Sequence, residues 1–210
     1  MTAALPTAAQ TLELMRRRCT ARSHASAPIP PDALASVLEA VRWAPSAANR
    51  QPWELVVISD PQIKQGLKAA FLEDAERYGP RYRTVSARQA DLLLAPIVIA
   101  VCANDDTKSS FVNADEIGSD AQEELLLLTM GAAVQNLLLM ATACGLTSTW
   151  LARPARLPAV RDLLAVKPSL RIVALVALGC GEAAPRPHEH ARHPIADKVH
   201  EDRFGAVDGG

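Results

Sequence analysis

The run at residues 124–146, ELLLLTMGAAVQNLLLMATACGL, constrains the fold more than any other feature. Its residues are apolar on nearly every side of a helix and long enough to cross a bilayer. Such a helix belongs either in a membrane or at the centre of a protein core. The flanking and internal residues favour the core. Gln122, Glu123 and Glu124 open the run, Gln135 and Asn136 interrupt its middle, and neither a second span nor a basic flank accompanies it. Ser119 with Gln122 forms a candidate capping box, and Gly145 marks a C-terminal stop. Gly131, Ala132 and Ala133 would let another backbone come close. The expectation is a central helix enclosed by other elements.

Those other elements alternate between helices and short strands without an internal repeat. Asp32, after the PIPP punctuation, is a candidate cap for a helix whose Leu34, Val37, Leu38 and Val41 share one face, and Pro45 ends it. Residues 54–59, ELVVIS, read as a buried strand. Asp60 and Pro61 then supply a cap and a first helical position, with helix to about Leu72. Residues 73–90 are charged and carry two tyrosines without a clear period; residues 95–103 return as a second buried strand, and residues 104–119 form a polar loop candidate. The two polar segments are either solvent-exposed connections or a mobile cover over a pocket. Pro158 opens another short helix, and residues 171–179, RIVALVALG, are a third strand. A single domain of 210 residues is expected, with residues 183–210, rich in proline, histidine and charge, as an extended arm.

Bulk properties exclude several function classes. A formal net charge of -1 leaves no electrostatic footprint for nucleic acid or an anionic membrane. Cys19, Cys102, Cys144 and Cys180 lie far apart and form no C-x-x-C pair, so reduced thiols are expected. The first residues put positive charge after the apolar ones, the reverse of a secretory signal, and a cytoplasmic protein is expected. No G-x-G-x-x-G, Walker loop or G-x-S-x-G is present. His188, His190 and His193 cluster near Glu189, but without the rigid context that fixes metal ligands, so no metal is assigned.

Two clusters carry chemistry. RRRCTAR, residues 16–22, gathers four arginines and a hydroxyl at the exit of the first helix, a set suited either to a phosphate or to complementing the helix dipole. APSAANRQPWELVV, residues 44–57, places Ser46, Asn49, Gln51 and Trp53 in what would otherwise be a bare turn before a strand.

The order of these features resembles the FMN-dependent nitroreductase-like flavoproteins, over nearly the whole chain. The family's R-x-S/T-x-R/K motif is matched by Arg18, Thr20 and Arg22, and its A-P-S-x-x-N-x-Q-P-W motif by residues 44–53. VQNLLLMATACGLTSTWL matches its long helix, Q-N pair and following G-L, and HARHP its phosphate-contacting C-terminal arm. The resemblance implies an α+β, three-layer α/β/α sandwich, with a mixed, mainly antiparallel sheet around the long helix, in an interlocked homodimer with FMN between the subunits.

By the same resemblance, Arg18, Thr20, Arg22 and Arg192 hold the FMN phosphate, with Cys19 touching it, and Ser46 and Asn49 face the flavin. A turn at Leu146, Thr147 and Ser148 offers backbone N–H groups to the ring from the other side, Gln51 reaches a ribityl or partner-subunit contact, and Trp53 belongs to the core. NADH or NADPH delivers hydride to the flavin, and a nitroaromatic, quinone or similar small-molecule acceptor removes it in a ping-pong cycle, with no catalytic side chain required. Cys19, Thr147 and His190 depart from the family pattern at positions often basic, glycine and basic respectively. They keep open a non-catalytic flavin-binding protein of the same fold; the family also includes flavin-dependent metabolite dehydrogenases, a second alternative that these residues do not single out.

Overall fold

The three β-branched runs become strands, and a fourth strand joins them. In the computed structural model, which describes residues 5–110, 114–180 and 192–204, the strands are β1 (Trp53–Ile58), β2 (Ile97–Asn104), β3 (Leu146–Leu151) and β4 (Leu170–Cys180). They pair antiparallel throughout in the order β1-β2-β4-β3, with Val56 opposite Ala100 and Thr149 opposite Ala177. The central β2 and β4 are buried along almost their whole length, because helices cover both faces of the sheet.

One face carries α2 (Pro31–Arg42) and the long α5 (Ala114–Ala143), which meet β2 and β4 through Val37, Val41, Ile99, Val101, Leu126, Leu137 and Val176. The opposite face carries α3 (Pro61–Ala75), α4 (Pro80–Ala90), the single turn α6 (Ala152–Ala155) and α7 (Pro158–Leu163), around a second core of Leu67, Phe71, Leu93, Val98, Leu175 and Val160. The result is the expected α/β/α sandwich.

Several local expectations change. Asp32 does not cap α2: the helix starts at Pro31, and Pro30 stands at the cap without a side-chain bond. Proline at the first helical position has no N–H to satisfy, so the helix begins two residues earlier and Asp32 contributes only its charge to the first turn. Asp60 caps α3 as expected, accepting from the Gln62 and Ile63 N–H groups at 2.7 and 3.1 Å. Residues 80–90 form α4, which packs on α3; its apolar period was invisible because the positions it buries are Ser86 and Ala90. The segment after β2 is a 3-10 turn, Asp105–Ser110, rather than a loop running to Ser119. Gly118, at φ 72° and ψ 160°, breaks the first turn of α5, so its uninterrupted length starts at Ser119; Gly145 at φ 70° ends the exit turn.

The long helix is less enclosed than its composition suggests. Leu128 is 71% exposed, with Leu125 and Leu127 beside it on the surface. One helix among the described residues, Gly118–Ala143, is long and apolar enough to cross a bilayer, and 44% of its apolar window is buried inside this chain. Against α5 lies α1 (Ala8–Arg17), started by a Thr7–Gln10 capping box but burying none of its residues.

On the opposite face, Lys64 is buried and its ammonium donates to the carbonyls of Ala95 (2.9 Å) and Pro96 (3.0 Å), just before β2. Burial lowers its pKa, with Asp60 acting in the other direction. Lys64→Ala strands both carbonyls and is expected to destabilise the protein by about 1–3 kcal/mol, measured as a lower denaturant midpoint at unchanged slope.

Candidate functional site

The RRRCTAR segment leaves α1 and makes a single bridge to the sheet edge. Arg18 takes extended backbone at the helix C-cap, Thr20 bridges Ser148 in parallel, and the Ala21 N–H donates to the Ser148 carbonyl at 2.9 Å. Extended backbone sends alternate side chains to opposite sides. Arg18 and Thr20 therefore share a face with Ser148 and Trp150 of β3, while Ala21 is buried.

Those four residues line a cleft of about 350 Å3, closed by Met15 of α1, by Gln135 and Leu138 of α5, and by Arg192 of the C-terminal arm. Two guanidinium groups, two hydroxyls and an amide converge there, and no carboxylate lines the cleft. Nothing in the lining competes for the arginines, so the donor set fits a phosphate dianion. A larger cavity of about 560 Å3 lies between α5 and the α6–α7 turn, but two of its three arginines are already engaged. Arg171 pairs with Glu123, and Arg161 donates to the carbonyls of Leu170 and Lys167.

The remaining expected residues are distributed unevenly. Arg22 is exposed and does not line the cleft. Cys19 is half-buried, and burial raises its thiol pKa against the opposing charge of Arg18. His190 lies outside the described residues, as do His188 and Glu189; the described arm, residues 192–204, is exposed. Leu146, Thr147 and Ser148 form the start of β3 rather than a turn, because Gly145 already completes the reversal and the following residues pair with β4. Leu146 enters the core on the α5 face, and Ser148 is the member of the three that meets the cleft.

Thr147 points the other way. It sits opposite Gly179 in the sheet, donates to the Gly179 carbonyl at 3.0 Å, and lies 2.8 Å from His24 Nδ1. Thr149, two residues on, lies 3.2 Å from His24 Nε2 and donates to the Ala21 carbonyl at 2.6 Å. Burial lowers the His24 pKa to about 4, so the ring is neutral at physiological pH.

Ser46, Asn49 and Gln51 occupy a separate loop at the end of α2 and do not line the cleft. Ala48, Asn49 and Gln51 all have positive φ, at 51°, 54° and 50°. Asparagine tolerates that region, but alanine and glutamine are strained in it, and such strain concentrates where a loop must present backbone or side chains to a ligand. Ser46 braces the loop by accepting the Gln51 N–H at 3.1 Å, while Gln51 donates to the Asn49 side chain at 3.4 Å. Trp53 begins β1 and packs against the first core, as expected. Sequence reasoning did not assign Gln135, Trp150 or His24 to the site region. Gln135, an amide inside an apolar helix, carried a readable signal; the other two depend on how the sheet edge is built.

This fold and cleft define an α/β/α protein with a cleft at the sheet edge that is lined by two arginines and no carboxylate. The family model described as "Nitroreductase family" matches residues 14–180. A Thermus thermophilus protein named NADH dehydrogenase is 31% identical over 206 residues, covering 85% of this chain and 90% of that one. An Archaeoglobus fulgidus protein, provisionally named NADH dehydrogenase/NAD(P)H nitroreductase, is 26% identical over 92% of this chain and 98% of its own length. Among solved structures, a nitroreductase-type protein of Desulfovibrio desulfuricans in complex with FMN superposes with a TM-score of 0.66 at 26% identity, covering 92% of this chain and 97% of that one. The chain belongs to the nitroreductase family and is an oxidoreductase of that class.

Proposed function

We propose that the protein is an FMN-dependent NAD(P)H oxidoreductase that works as a homodimer in the cytoplasm and reduces a nitroaromatic, quinone or similar small acceptor. The observation that carries this reading is the meeting of Arg18 and Arg192, from opposite ends of the chain, with Thr20 and Ser148 in a cleft without carboxylates. The FMN held by the Desulfovibrio desulfuricans structure and the names of the Thermus and Archaeoglobus relatives support the cofactor and the electron donor. All four cysteines are free, in keeping with a reducing compartment.

In this reading Arg18 and Arg192 neutralise the flavin phosphate, Thr20 and Ser148 add hydroxyl contacts, and Arg22 and His190 belong to the same cofactor-binding set. FMN would supply the hydride chemistry, accepting from NADH or NADPH and passing electrons to the acceptor. The protein supplies position and electrostatics, and no side chain need move a proton for the hydride step. Ser46, Asn49 and Gln51 act on the flavin of the opposite subunit, which explains why the strained loop and the phosphate cleft stand apart within one chain. Two unpartnered features support assembly: the exposed leucines of α5, and α1, a ten-residue helix with no buried residue that would scarcely persist without further packing.

The test is reconstitution. Protein incubated with FMN and desalted should remain yellow, bleach when mixed anaerobically with NADH or NADPH, and recover its colour on adding a quinone or nitroaromatic. A colourless protein after desalting overturns the flavin reading. Bleaching with neither nucleotide overturns the reductase and leaves a flavin-dependent metabolite dehydrogenase or a non-catalytic flavin carrier.

A further inference from the structure

The phosphate-binding segment is short and lies at an edge, so something must fix its position along β3. The backbone contacts at Thr20 and Ala21 are few, and an edge bridge of this length can slip. Four residues after Thr20 the chain has crossed to the other side of the sheet, where the Ala25 N–H donates to the Cys180 carbonyl at 3.0 Å. His24 lies at that crossing.

Three features converge on its ring. Thr147 and Gly179 are cross-strand partners, so a side chain at 179 would project beside Thr147, and its absence leaves a recess that His24 fills. A Cβ built on Gly179 would stand 2.6 Å from the His24 Cβ, closer than the two can approach. Both ring nitrogens then face threonine hydroxyls, Thr147 at 2.8 Å and Thr149 at 3.2 Å; each hydroxyl gives its proton to a carbonyl, so the neutral ring's single N–H, at Nδ1, donates to Thr147 and Nε2 only packs against Thr149. Thr149 also binds the Ala21 carbonyl, inside the phosphate segment itself. The two threonines occupy one face of β3, while Ser148 between them occupies the other and lines the cleft. The same strand is therefore held from behind by His24 and presents Ser148 in front.

We propose that His24 is a positioning residue for the phosphate site: its Nδ1–H donation to Thr147, with the ring packed against Thr149, locks the register in which Arg18 and Thr20 face the cleft. This rests on the flavin reading above. It makes the hydrogen-bonding pattern of the ring, and not its bulk alone, a determinant of affinity for the phosphate end of the ligand.

His24→Phe keeps the filling and removes the bond, and FMN and riboflavin are the probes, since they differ only by the phosphate. The expected result is FMN binding weakened on the order of tenfold with riboflavin binding nearly unchanged, the loss of the hydrogen bond to Thr147 being read through the phosphate alone. His24→Asn, whose amide can stand in for Nδ1, should recover part of the ratio. An unchanged FMN-to-riboflavin ratio in a folded His24→Phe protein, or an equal loss of both ligands, overturns the proposal. Should His24→Phe fail to fold, Thr147→Val keeps the ring and removes the 2.8 Å contact, and the same ratio decides. If the unaltered protein binds neither flavin, the flavin reading fails and this inference falls with it; if it binds FMN and the ratio stays fixed, only this inference fails.

Discussion

Arg18→Ala is expected to weaken FMN binding by about 10- to 100-fold while riboflavin binding changes little, measured by quenching of flavin fluorescence on titration with protein. The range corresponds to roughly 1.5–3 kcal/mol for a hydrogen bond to a charged group in a site that excludes competing anions. Arg18 lines the cleft with Arg192 and has no carboxylate there to turn to. Arg16→Ala is the built-in control. Arg16 and Arg17 occupy the last turn of α1, where cations complement the helix dipole, and Arg17 is already paired with Glu13 at 2.9 Å. If the cluster were only a basic helix end, Arg16→Ala and Arg18→Ala would behave alike, with small effects on stability and none on the ligand. Equal FMN affinity in the two variants would remove the phosphate role from Arg18.

The second large effect concerns assembly. Leu128→Lys is expected to convert a dimer into a monomer, read by sedimentation as a fall from twice 22.4 kDa to 22.4 kDa, with loss of bound FMN alongside. Leu128 is 71% exposed on an otherwise apolar helix, beside Leu125 and Leu127. Burying a leucine is worth about 1.5–3 kcal/mol, and a two-fold interface counts each change twice, so the dimer dissociation constant should rise by roughly 100- to 10,000-fold. Loss of FMN should follow because the strained loop carrying Ser46 and Asn49 does not reach the cleft of its own chain. An unaltered protein that is monomeric and still holds FMN would overturn the shared site, and the two loops would then need another explanation.

The cleft was legible in part because its chemistry is concentrated in short motifs. Arg18 and Thr20 alternate, so an extended segment puts both on one side whatever it packs against; Arg192 could be placed beside them only by resemblance, and Ser148, which the resemblance sent to the flavin ring, joins them only in the tertiary structure. Leu146 and Thr147 show the opposite case. They were expected in a turn, but they begin β3, whose pairing turns the Leu146 side chain into the core and commits the Thr147 hydroxyl to Gly179 and His24. A strand reverses the direction of its side chains at every residue, so neighbours that a turn would group together are sent to opposite faces.

By itself the sequence determined the α+β class, the three strands rich in branched residues, the long apolar helix with its glycine stop, and the family to which the chain belongs. Each of these is written in local periodicity or in motifs of a few residues, where burial on one face repeats at the spacing of the element. Only the tertiary structure decided the fourth strand, the helix at residues 80–90, the positive φ angles at Ala48, Asn49 and Gln51, and the His24 crossing. Those features depend on groups distant in the chain. A glycine at 179 makes room for a histidine at 24, and two threonines hold it, through contacts that no periodicity along the chain can encode.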